Sequence, residues 1–139
     1  MIRLALFDLD HTLLDGDSDV LWCEFLMAEG VLNRAEFEPR NRDMEARYKA
    51  GTVDVAEFCA FFVGTLAGRT PQAWQATRER FMAQEIAPRL PAASHALVRK
   101  HQAAGDTVVL TTATNRFITE LTARHLGLSH LLATECDRD

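Results

Sequence analysis

Apolar and polar positions divide the chain into a leading strand, a long helical stretch and a closing α/β segment. Residues 2–7 are a short, almost unbroken apolar run, which predicts a strand buried on both faces of a parallel sheet. A helical period then takes over. Asp17 or Ser18 is placed to cap a helix over 19–29, with Val20, Leu21, Phe25 and Leu26 on one face and Gly30 ending it. Asn33, with Glu36 three residues on, opens a second helix that is charged nearly all round from Arg34 to Lys49. Its sparse apolar contacts are Phe37, Met44 and Tyr48, and Pro39 is expected to limit its first turn. A more apolar helix over 55–67 carries Phe58, Phe61, Phe62 and Leu66 as its buried stripe. Thr70-Pro71 restarts a fourth helix, with Trp74, Phe81 and Met82, that stops before Pro88. After Pro91 the order is helix to Ala104, strand over 107–111, helix from the Asn115 cap to Leu126 and a short strand over 131–134. Strand, helical insert, helix, strand, helix, strand reads as parallel βαβ units with right-handed crossovers, an α/β fold.

The first strand delivers two carboxylates, Asp8 and Asp10, with only Leu9 between them. Acids at the carboxyl end of a buried strand are costly unless something cationic meets them, and that end is where open α/β sheets bind ligands. An Asp-rich turn capping the next helix is the plainer reading of either Asp alone.

Phe7-Asp8-Leu9-Asp10-His11-Thr12-Leu13 resembles motif I of the haloacid-dehalogenase superfamily, in the form used by its phosphatases. Thr107-Val108-Val109-Leu110-Thr111-Thr112-Ala113-Thr114-Asn115 resembles motif II, an apolar strand ending in Thr or Ser, and alignment through Phe117 to Glu120 puts Thr112 at the motif position. The resemblance covers nearly the whole chain and points to the branch that includes the phosphoserine phosphatases. It implies a Rossmann-like core from residues 1–16 and 88–139, with an all-helical cap from 17–87. It also implies that Asp8 is a nucleophile forming an aspartyl-phosphate, and that Asp10 protonates the leaving alcohol and then deprotonates the hydrolytic water. Asp8 and Asp10 would hold Mg²⁺, while Thr112 and the backbone N–H of Ala113 would hold the phosphoryl group. Thr12 is expected only to shape the turn. The cation has a physical motive: a carboxylate about 4 Å from a phosphate is repelled by roughly 4 kcal/mol per charge pair at an effective dielectric near 20.

Asp17 matches the acidic position that contacts the substrate amine in phosphoserine phosphatases, with a helix cap as the rival reading. The cap arginines of those relatives have no counterpart in Phe58 to Val63, so a different small phosphorylated metabolite, such as an amino alcohol phosphate, fits better than phosphoserine.

The superfamily also uses a Lys after the third strand and an acidic pair on a fourth. Lys100 precedes the second strand, and Asp137 and Asp139 follow a strand that fits the third position. The chain therefore reads as the front part of a phosphatase, truncated and weak or inactive alone. In the superfamily's sheet the motif I strand is central, so here one of its edges is expected to stand open to a second copy or a complementing chain. A non-catalytic binding or assembly module on a relic fold is the alternative. A phospho-accepting signalling domain is a weaker one, disfavoured by the long insert.

Composition narrows the partners. A formal charge of −5 over 139 residues argues against nucleic acid. The leading apolar run, broken at Asp8, is neither a signal peptide nor a membrane span, so a cytoplasmic location is expected. Cys23, Cys59 and Cys136, far apart and without metal-like spacing, read as reduced thiols, and the histidines as no metal site.

Overall fold

A computed structural model describes residues 1–136, so Asp137 and Asp139 lie outside the described residues. The chain runs β1 (Leu4–Phe7), α1 (Ser18–Ala28), α2 (Arg34–Lys49), α3 (Val55–Thr65), α4 (Pro71–Phe81), α5 (Ala92–Ala103), β2 (Thr107–Asn115), α6 (Arg116–His125) and β3 (His130–Thr134). A π-helical turn over Met82–Ile86 and a 3₁₀ turn over Ala87–Arg89 lead from α4 towards α5.

The strands form one parallel sheet in the order β1-β2-β3. Leu4 to Phe7 pair with Thr107 to Leu110, and Val109 to Thr111 pair with His130 to Leu132. Parallel neighbours need a crossover, and α6 between β2 and β3 supplies one of ordinary length. The crossover from β1 to β2 contains four further helices, the inserted region. Among the described residues β1 has β2 as its sole neighbour, so its other edge is unpaired.

Burial corrects one expectation. The sheet is covered on one face only: Val108 and Leu110 are buried there with Val98 of α5 and Ile118 and Ala123 of α6, and Ala5, Phe7 and Leu131 pack against that cluster. On the other face Leu4, Leu6 and Leu132 are 64%, 59% and 62% exposed. Successive right-handed crossovers in one direction leave their helices on one side, so the β1 apolar run is half-buried, not buried twice.

Asn33 and Thr70 cap as read: Asn33 Oδ1 accepts from Glu36 N at 3.1 Å and Thr70 Oγ1 from Ala73 N at 3.2 Å. Asp54, not marked in the sequence, caps α3, its Oδ1 accepting from Glu57 N at 2.7 Å. Pro39 lies inside α2 and does not limit it. Helix propensity there is supported by i,i+4 ion pairs such as Glu38–Arg42 at 2.7 Å and Glu45–Lys49 at 2.8 Å, each contributing a few tenths of a kcal/mol.

The insert is fastened to the sheet-bound helices. Trp22 of α1 is fully buried against Trp74 and Phe81 at ring distances of 5.8 and 5.1 Å, and its indole N–H donates to Thr65 at 3.2 Å. Arg78 of α4 pairs with Glu120 of α6 and lies over Phe117 at 4.4 Å. Cys59 of α3 is disulfide-bonded to Cys136, just past β3, with 5.4 Å between Cα atoms. This corrects the reading of three reduced thiols. Folding brings the two together across 77 residues of sequence, a proximity that spacing alone does not reveal. Cys23 is free and buried. No helix among the described residues is long and apolar enough to cross a membrane.

Candidate active site

Beyond β1 the chain turns tightly. Leu9 O accepts from Thr12 N at 3.1 Å and Leu14 N at 2.9 Å, and His11 N donates to Gly16 O at 3.1 Å. His11 adopts φ +58°, the left-handed region, which a polar residue in so close a turn tolerates. Leu9, Leu13 and Leu14 are buried and pin the loop, so the carboxylates flanking Leu9 emerge at the carboxyl end of the sheet.

Asp10 is tightly held. Its Oδ1 accepts from Ser18 N at 2.8 Å and Ser18 Oγ at 2.7 Å, and its Oδ2 accepts from Thr114 Oγ1. Thr12 Oγ1 donates to Asp8 Oδ2 at 3.0 Å, so the hydroxyl expected only to shape the turn also touches the first carboxylate. On β2, Thr112 Oγ1 accepts from Thr114 N at 3.1 Å, where a register shift between Thr111 and Asn115 bends the strand end. Asn115 then caps α6 through Ile118 N at 3.2 Å and donates from Nδ2 to Asp19 at 3.2 Å.

Asp8, Asp10, Asp17, Thr112 and Ala113 all line one cavity of about 140 Å³ between the sheet end and the insert. Asp17 caps α1, accepting from Asp19 N at 3.0 Å and Val20 N at 3.2 Å. Cap and cavity residue are thus one side chain, and the two readings of Asp17 are compatible. The aromatic stripe of α3 divides: Phe62 is buried, while Phe58 and Phe61 are half-buried, and all three line the cavity. Trp22 and Trp74 belong to the core and not to the lining.

Thr114, Asp19, Asn41 and Glu45 also line the cavity and went unmarked as candidates in the sequence. Thr114 follows Thr112 by two, the strand period that carries both to one face. Asp19, in the first turn of α1, reads there as an ordinary helix-start acid. Asn41 and Glu45 lie with Met44 and Tyr48 on α2 at i, i+4, i+3 and i+7, a single helical face turned to the cavity.

The cavity is anionic, and among the described residues no Lys or Arg lines it. Burial, then the neighbouring Asp17 and Asp10 charges, hold the Asp19 carboxyl well above its usual range, and burial and Asp10 raise Asp17. A carboxyl whose folded pKa is raised costs stability when ionised, and that cost grows as pH rises from the unfolded value through the folded one. Asp19→Asn keeps an oxygen for the Asn115 amide. The variant is expected to melt higher than wild type at pH 7 in chelating buffer, with the difference vanishing near pH 3 in a pH series of melts.

Mg²⁺ takes oxygen ligands, usually one or two carboxylates completed by water and substrate phosphate. Asp8 and Asp10 are oxygen donors of that kind. Both Asp10 carboxylate oxygens already accept hydrogen bonds, which leaves Asp8 as the available side-chain donor and the Asp10 backbone carbonyl as the second. Among the described residues no group of three or more His, Cys, Asp or Glu is placed to hold a metal. The donor set therefore suits a hard cation shared with substrate and not a protein cage.

A family model described as haloacid dehalogenase-like hydrolase matches residues 5–139. Histidinol-phosphatase of Neisseria meningitidis serogroup C is 32% identical over 137 residues, which are 99% of this chain and 62% of that protein. A solved structure of a protein of unknown function from Bordetella pertussis Tohama I is 43% identical with a TM-score of 0.88, covering 97% of this chain and 61% of that one. A phosphoserine phosphohydrolase-like protein from Francisella tularensis shares the fold at 16% identity and a TM-score of 0.69, over 96% of this chain and 58% of its own. The chain thus spans about three fifths of the length of these relatives.

Proposed function

Because the chain belongs to the haloacid dehalogenase-like hydrolase family, we propose that it carries the nucleophile-bearing half of a Mg²⁺-dependent phosphatase acting on a small phosphomonoester through an aspartyl-phosphate. The observation that carries this reading is the convergence of Asp8, Asp10 and Thr112 on one cavity beneath the insert.

In the proposed reaction an Asp8 carboxylate oxygen attacks phosphorus as the bond to the ester oxygen breaks, and Asp10 gives its proton to the departing alkoxide. Asp10, now ionised, takes a proton from water as that water attacks the aspartyl-phosphate. Phosphate departs and Asp8 is regenerated. Thr112 and the Ala113 backbone N–H orient the phosphoryl oxygens, and Ser18 with Thr114 keeps the Asp10 carboxyl aimed. Bound Mg²⁺, held by Asp8 and Asp10, supplies the positive charge that lets an anionic nucleophile meet an anionic ester. The absence of arginine and lysine from the lining, among the described residues, disfavours an alcohol bearing a carboxylate. It fits an amino alcohol phosphate, the chemical class of histidinol phosphate, for which one relative is named.

Trapping with fluoroberyllate tests the reading. With Mg²⁺ an acyl-phosphate mimic is expected on Asp8, seen by fluorine NMR, together with only slow hydrolysis of an aryl phosphate, since no Lys or Arg among the described residues lines the cavity to neutralise the phosphoryl group. No adduct at any Mg²⁺ concentration would remove the phosphatase assignment. The unpaired edge of β1 supports the second reading, a binding or assembly module completed by another copy or chain, and that reading would then stand.

A further inference from the structure

The amide of Asn41 is a polar group of the cavity wall whose setting neither the helix nor the proposed chemistry explains. Asn41 is 5% exposed, lies midway along α2 and lines the cavity. Its side chain makes no hydrogen bond to any described residue. An amide so placed has no protein partner among the described residues, and the space its polar atoms reach is the cavity. Asn is also a mediocre helix former, so local propensity does not account for it.

Its neighbours point to what completes it. On the same face of α2, Met44 and Tyr48 offer apolar surface, the Tyr48 and Phe58 rings lie 6.0 Å apart, and Glu45 is already paired with Lys49. Asp17 and Asp19 meet the cavity from α1, and among the described residues no Lys or Arg lines it. A ligand that satisfies this wall carries a positive nitrogen with protons to donate, on a short carbon stem that the rings cover.

We propose that Asn41 is a specificity-determining residue, whose side-chain amide accepts a hydrogen bond from the nitrogen-bearing head of the leaving alcohol. This deepens the phosphatase reading and rests on it: Asp8, Asp10 and Thr112 handle the phosphoryl end, and the α2 face reads the other. The amide has no protein partner among the described residues before substrate arrives, so its hydrogen-bonding capacity is free for the incoming group.

The test compares wild type with Asn41→Leu and Asn41→Asp on two probes in Mg²⁺ buffer, O-phosphoethanolamine, which carries an ammonium, and phenyl phosphate, which does not. Calorimetric binding is expected to show Asn41→Leu weakening O-phosphoethanolamine by roughly tenfold, while phenyl phosphate changes less than about twofold. Asn41→Asp keeps an accepting oxygen and is expected to retain the preference. The ligand-free melting midpoint of Asn41→Leu is expected to rise. Equal weakening of both probes, or a lower midpoint with the preference intact, would overturn the proposal and make Asn41 a structural residue. If wild type binds neither probe while Asn41→Leu melts higher, the phosphoryl site is what fails and the partnerless amide stands; if Asn41→Leu also melts lower, both fail.

Discussion

Asp10→Asn is expected to lower steady-state hydrolysis of any accepted phosphomonoester by about 100- to 10,000-fold, the usual range for removing a general acid–base group. The fluoroberyllate adduct on Asp8 should nevertheless form. The structure explains why the two separate. In the variant the retained oxygen still accepts from Ser18 N and Oγ, as Oδ1 does at 2.8 and 2.7 Å in wild type. The new amide nitrogen donates to Thr114 Oγ1, whose hydroxyl reverses role. Fold and nucleophile are kept while the proton carrier is lost. Rapid-quench assays with a labelled aryl phosphate, whose phenolate leaves without needing a proton, should therefore find phosphoenzyme accumulating. A variant that loses the adduct as well would show that Asp10 shapes the site instead of moving the proton.

Reducing the Cys59–Cys136 bond is expected to remove about 2 to 4 kcal/mol of stability, from the loop of 77 residues that the bond closes in the unfolded chain. At this length that corresponds to a melting midpoint lower by roughly 10 °C, measured with and without reductant. Cys59→Ser should melt like the reduced protein in either buffer. Cys23→Ser should keep the reductant dependence, because burial pushes the Cys23 thiol up to about 12 and keeps it out of exchange. The bond ties α3, whose Phe58, Phe61 and Phe62 wall the cavity, to the end of β3. Its loss loosens that wall without touching Asp8 or Asp10.

Local chemistry explains what the sequence made legible. The caps at Asn33, Thr70 and Asn115 declare helix starts because a short polar side chain satisfies a nearby N–H, an interaction contained within four residues. The acid pair of β1 and the threonines of β2 stand out because both close apolar strands, and parallel pairing sets those strand ends side by side. What stayed hidden depends on partners far along the chain. Ser18 and Thr114 meet at Asp10 from 8 and 104 residues away, and no spacing announces that meeting. The α2 face of Asn41, Met44, Glu45 and Tyr48 was obscured because its charged surroundings mask the period. The apolar run of β1 implied two covered faces because hydrophobicity records what a strand tolerates, not which side a helix reaches.

The one-sided sheet has a practical use. Leu4, Leu6 and Leu132 point away from the packed side, whereas Phe7 and Leu110 point into it. Strand alternation keeps the two sets apart, so lysine or glutamate at the outward leucines alters colloidal behaviour and crystal contacts while the acids at the strand ends keep their surroundings. Among the described residues that outer surface lies open at these leucines, separated from the chemistry by the thickness of one layer of backbone.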